Sequence, residues 1–95
     1  MENKNTKELV EFKTSPEYFK KEESGIKPNT CRNIEIQDKR FQLLIWMMIN
    51  KSYGKIKIKS IHSQVFIRQI KDISVWGNIM IISWKHEQSK GELNK

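Results

Sequence analysis

Ser24-Gly25-Ile26-Lys27-Pro28-Asn29-Thr30-Cys31-Arg32 is the stretch from which the rest of the chain can be read. It follows a short predicted helix that opens at Thr14-Ser15-Pro16-Glu17. Ser15 is suited to cap that helix, and Pro16 fits its first position, where a missing N–H costs nothing. Tyr18 and Phe19 anchor the helix, residues 20–23 form its wet face, and Gly25 supplies a left-handed stop. Pro28 and Asn29 hold the following loop open. Lys27, Thr30 and Arg32 then put a cation, a hydroxyl and a guanidinium on one short connection, with no bulky apolar residue beside them. Such a connection can hold an anion or a nucleobase edge.

Working outward, Leu9, Val10 and Phe12 form a short strand-like segment ending near Lys13, after a polar stretch, residues 1–6, that reads as disordered. Residues 30–36 read as a strand. Asp38 is the expected N-cap of a second helix over residues 39–49, which is apolar nearly all round and so is either buried on several sides or set against a partner. Lys51-Ser52-Tyr53-Gly54 reads as a turn. Three strands are expected beyond it. Lys55-Ile56-Lys57-Ile58-Lys59 alternates strictly, residues 64–70 continue with a possible extension to Val75, and residues 79–84 follow the turn Trp76-Gly77-Asn78. The predicted fold class is α+β: a curved antiparallel sheet or small open barrel with two helices at its ends. One domain over residues 7–86 is expected, with a flexible polar tail at 87–95.

The spacing Gly25-x-Lys27-x-x-Thr30-x-Arg32 after a helix resembles the signature of ASCH domains, members of the PUA-like superfamily. The preceding Phe12-Lys13-Thr14-Ser15-Pro16-Glu17-Tyr18-Phe19 and the closing Ile81-Ile82-Ser83-Trp84 are similar to the small phage and prophage members of that group. The resemblance covers about residues 8–86. It implies a cleft between barrel and first helix that accepts a nucleobase or an RNA segment. There Lys27 would contact a phosphate or base carbonyl, Thr30 would donate or accept at the base edge, and Arg32 would hold the loop or bind an anion; Asn29, between them, is a further nucleic-acid-binding candidate. Some ASCH relatives remove an acyl group from a modified cytidine with Lys, Thr and a later Glu. Lys27 and Thr30 match the first two, and Asp72 is the candidate third if its strand reaches the pocket mouth. The competing structural reading leaves Lys27 solvated, starts a strand at Thr30 and pairs Arg32 with Glu35 or Glu17.

Charge supports a polyanionic partner. The chain has 95 residues and a formal net charge of +7. Residues 1–38 hold seven Lys/Arg against eight Asp/Glu, whereas residues 39–95 hold eleven against three. A basic half suits phosphate neutralisation, although lysine enrichment also serves solubility. Fifteen of the 18 cations are Lys, which favours backbone contact over base reading. The ladder Lys55-Lys57-Lys59, with Arg68 on the next strand, is placed to follow a phosphate backbone or simply to protect a solvated strand. Trp76 is the aromatic best placed to stack a base, while Trp84 reads as core.

Other chemistry finds little support. One cysteine and the two histidines, His62 and His86, provide no metal-ligand spacing, and no cofactor is expected. Residues 1–5 carry no apolar signal core and residues 43–49 are too short an apolar run to span a bilayer, so a cytoplasmic location is expected. The leading expectation is a small non-catalytic domain for nucleic acid, RNA or a modified base. The alternative is a protein-interaction module, such as a phage inhibitor of a host protein, using Trp46, Met47 and Met48 as its interface or as a homodimer contact. The third is the acyl-cytidine amidohydrolase.

Overall fold

The computed structural model describes residues 5–85. The predicted turn chemistry accounts for most of its boundaries. Strand β1 covers Asn5–Thr14, and Ser15, in extended conformation, then caps helix α1 (Pro16–Ser24) by accepting from the Tyr18 N–H. Gly25 ends that helix at φ 92°, in the left-handed region. Strand β2 is Asn29–Asn33, and Asp38 caps helix α2 (Lys39–Asn50) by accepting from the Arg40 N–H at 2.9 Å. Strands β3 (Tyr53–Ser60), β4 (Val65–Trp76) and β5 (Ile79–Trp84) follow, the last two joined through Gly77 at φ 64°.

The five strands form one sheet in the order β1-β3-β4-β5-β2, curled into a half-barrel. The α+β class thus holds, but the sheet is mixed rather than wholly antiparallel. β1 pairs parallel to β3, with Val10 opposite Ile56 and Phe12 opposite Ile58. The other three pairings are antiparallel. The period-2 burial pattern is the same for both directions, so alternation alone does not reveal which one a strand adopts. Here α1, β2 and α2 intervene between β1 and β3, and that long excursion lets the chain re-enter in its original direction.

Boundaries shift in three places. β1 includes Asn5 and Thr6, which the polar composition assigned to a disordered end, while residues 1–4 and the tail 87–95 lie outside the described residues. β2 stops at Asn33 rather than reaching residue 36; Ile34 still donates to the Asn78 carbonyl at 2.9 Å before the chain turns toward Asp38. β3 begins at Tyr53, inside the expected turn, because α2 ends in a left-handed Lys51 at φ 53°.

The core lies between the concave face of the sheet and the two helices. Val10, Phe12, Phe19, Phe41, Leu44, Met47, Ile56, Ile58, Phe66, Ile70, Ile73, Met80, Ile82 and Trp84 are all buried. Phe19 from α1 meets Phe66 edge to face at 5.2 Å, and Phe66 meets Trp84 at 5.7 Å. Helix α2 buries only Phe41, Leu44 and Met47, one stripe at helical spacing, so its outer face stays wet despite its apolar composition. Gly54 allows the closest approach: an added Cβ would sit 2.3 Å from the Glu8 carbonyl oxygen of β1. At the Lys71 bulge in β4 an extra residue resets the alternation, so Phe66, Arg68 and Ile70 point inward before it and Ile73 after it.

Candidate functional site

Curling the sheet brings its two edge strands, β1 and β2, to one opening. Lys13 and Thr14 from β1, Ser15, Tyr18 and Glu22 from α1 and its cap, and Lys27, Thr30, Cys31 and Arg32 line a cleft of about 530 Å³. That volume falls within the usual range for small-molecule sites, about 300–1,000 Å³. A second wedge of about 410 Å³ is lined by Glu11, Phe12, Lys13, Arg32 and Arg40. Lys13 and Arg32 line both.

The motif residues converge here. Lys27 is held where Gly25 turns the chain back, its N–H donating to the Lys21 carbonyl at 2.9 Å. Its Nζ donates to the Asn29 carbonyl at 2.9 Å and pairs with Glu22 Oε2 at 3.3 Å. Thr30 is the one buried residue of β2, and its Oγ1 accepts from Arg32 Nε at 2.9 Å. Arg32 therefore pairs with neither Glu17 nor Glu35; it lies over the Phe12 ring, with its guanidinium carbon 4.9 Å from the centroid.

Glu22 was not among the residues singled out from the sequence. It is 2% exposed, yet it lines the cleft, and among the described residues its Oε1 has no hydrogen-bond partner. Burial is the strongest influence on its carboxyl and raises its pKa; Lys27 chiefly, with Arg32 and Thr30, pulls the other way without cancelling it. A buried carboxyl with a spare oxygen at the floor of an open cleft is a recognition or proton-transfer group awaiting a partner. The sequence carried one clue: on a helix with a wet face from residues 20–23, Glu22 falls three positions from Phe19, on the buried side.

The other candidates are dispersed. Asp72 is exposed on β4, opposite Ser83 on β5, and does not line the cleft; the cleft's carboxylate is Glu22. Lys57 lies on the outer face of β3, 3.9 Å from Glu11 Oε1. Arg68 is 9% exposed and donates to the Glu23 carbonyl at 3.1 Å and the Ile67 carbonyl at 3.0 Å, inside the fold rather than toward a ligand. Trp76 is 81% exposed beside the β4–β5 turn and outside both cavities. Trp46 is exposed, Met48 is half-buried, and Met47 is fully buried with its sulfur accepting from the Gly54 N–H, so Met47 cannot belong to an outer interface.

Among the described residues no group of three or more His, Cys, Asp or Glu side chains is placed to hold a metal ion, and no helix is long and apolar enough to cross a membrane. No protein-family model, curated protein or solved structure matches the chain.

Proposed function

We propose that this chain is a small, ASCH/PUA-like, non-catalytic nucleic-acid-binding domain that receives a nucleobase, modified base or RNA segment in the β1–β2 cleft. The observation that carries this reading is the convergence of Lys27, Thr30 and Arg32 with the spare Glu22 Oε1 in one open cleft. Lys27 and Arg32 supply donors and positive charge, and Glu22 and Thr30 supply the complementary polar atoms for a base edge. The basic balance of residues 39–95 supports a polyanionic partner.

The test is fluorescence anisotropy with short single- and double-stranded RNA and DNA, at low and physiological salt. Binding that persists at physiological salt and weakens about tenfold in Lys27→Ala or Arg32→Ala, as for loss of one charge-assisted hydrogen bond, is the expected result. Equal affinity for the folded variants and the parent protein would remove the cleft from the reading.

Glu22 favours a second reading, hydrolysis of an acylated base, because it adds a carboxyl to Lys27 and Thr30 at the place where Asp72 does not reach. Release of the acyl group from acylated cytidine, lost in both Thr30→Ala and Glu22→Gln, would establish that chemistry; no turnover leaves binding alone.

A further inference from the structure

Phe12 carries two guanidinium groups. The Arg32 carbon lies 4.9 Å from its ring centroid and the Arg40 carbon 4.4 Å. Crowding of like charge follows: burial is the main influence disfavouring the charged form of Arg32, and Arg40 adds to it. The charge of Arg40 is already met. Its Nη2 lies 2.6 Å from Asp38 Oδ2, its Nε lies 3.1 Å from both Asp38 oxygens, and its Nη1 donates to the Glu11 carbonyl at 2.8 Å.

Arg32 is not satisfied in this way. Its Nε is used by Thr30, and among the described residues its Nη1 and Nη2 make no hydrogen bond and no carboxylate stands within ion-pair distance. Glu22 attracts it from farther off, but burial favours that carboxyl in its neutral form. Lys13 is exposed on the same lip, without an ion pair among the described residues, and Glu11 is engaged with Lys57. A half-buried guanidinium with an open fork, crowded by a second one and flanked by a lysine, is the arrangement that a bound oxyanion relieves.

The wall shared by the two cavities suggests what else the ligand carries. Lys13 and Arg32 line both the wedge at Phe12 and the cleft that holds Glu22, Lys27 and Thr30. We infer that the seam binds a single nucleotide unit. Its phosphate is held by Arg32 and Lys13, beside the Arg40 that Asp38 already clasps, and its base turns into the cleft toward Glu22 Oε1 and Lys27. The assignment rests on the nucleic-acid reading above and adds to it a dedicated phosphate subsite and a ligand one nucleotide long. The phosphate is either the terminal group of a free nucleotide or strand end, or an internal diester.

Cys31 provides the readout, since it is the chain's one cysteine, is exposed and lines the cleft. Its rate of alkylation by iodoacetamide is followed by mass spectrometry against four nucleosides, their 5′-monophosphates, inorganic phosphate, and short RNA with and without a terminal phosphate. Monophosphates are expected to protect Cys31 at concentrations about tenfold below their nucleosides, the ratio for one charge-assisted hydrogen bond, and Lys13→Gln or Arg32→Gln should collapse that ratio. Lys13 is exposed, so its variant remains informative if Arg32→Gln, which loses the bond to Thr30, does not fold. Equal protection by nucleosides and monophosphates overturns the phosphate subsite and leaves the base cleft standing. Protection by inorganic phosphate as strong as by any nucleotide overturns the nucleotide assignment. No protection by nucleosides, nucleotides or RNA overturns both this inference and the function on which it rests. Dependence of the RNA on its terminal phosphate separates the two phosphate sources.

Discussion

Burial disfavours the charged form of Glu22, and its linkage to pH is directional. Its carboxyl pKa is raised in the folded state because burial outweighs Lys27 and its neighbours. The folded protein therefore holds this proton more tightly than the unfolded chain does. The resulting stability is fully present below the ordinary glutamate range, near pH 4.3, and is lost as pH rises through the raised folded value. Asp38 runs the opposite way, since its bonds from Arg40 lower its pKa. Only a difference between variants isolates Glu22. Urea melts of the parent protein and Glu22→Gln across pH 4–8 should show the variant gaining relative stability as pH rises. A constant difference across that range would mean that the Glu22 carboxyl titrates alike in the folded and the unfolded chain. At this scale the motif was legible and its carboxylate was not. Lys27, Thr30 and Arg32 announce themselves by spacing, whereas Glu22 looks like one of several charged residues in Lys20-Lys21-Glu22-Glu23, and only the packing of Phe19 decides which of them turns inward.

Elements are tied together by polar side chains that sequence patterns assign to the surface. Arg68 sits among the inward residues of β4, stacks on Phe66 at 4.8 Å and donates to the carbonyl of Glu23 in the last turn of α1. It thereby meets a carbonyl that the helix end leaves without an internal partner. The same helix carries Glu22 into the cleft, so Arg68 helps to fix the position of Glu22 without touching a ligand. Arg68→Leu should cost about 1–3 kcal/mol of stability, the range for hydrogen bonds from a charged group, while nucleic-acid affinity per folded molecule falls little. A stable variant that had lost binding would instead make Arg68 a ligand. Alternation placed Arg68 beside a lysine ladder and suggested a shared phosphate track; register shows why that fails. Lys57 pairs with Ile67, on the outer face, and Arg68 pairs with Ile56, on the inner one. One residue of register separates a surface cation from an interior clamp. Helix α2 gives the complementary lesson. Its composition is apolar all round, but a helix on one side of a small sheet can bury only one stripe, and Trp46 and Ile49 remain 47% and 71% exposed.

Taken as a whole, the molecule carries positive charge in two places that the sequence alone merges. One is the seam, where the curl of the sheet brings together residues from β1, α1, β2 and the start of α2. The other is the outer face of β3, where Lys55, Lys57 and Lys59 project beside Glu11, Lys13, Val65 and Ile67. The strand pattern made the second readable, because alternation is local. The first depends on both sheet edges closing on one opening, a consequence of the order β1-β3-β4-β5-β2 that no single segment encodes. The two surfaces differ in what they can do. An exposed ladder attracts any polyanion through counterion release, which fades with salt, while the seam offers a half-buried fork and a spare carboxyl oxygen. Replacing Lys55, Lys57 and Lys59 together by Gln should therefore flatten the salt dependence of RNA binding by up to about 0.7 for each phosphate that is no longer neutralised. It should leave protection of Cys31 by short RNA at physiological salt in place. Loss of that protection in the triple variant would place the working surface on the outer face of the sheet, with the seam a bystander. Retained protection with a shallower slope would divide the labour, with the ladder gathering the polyanion and the seam between the sheet edges holding it.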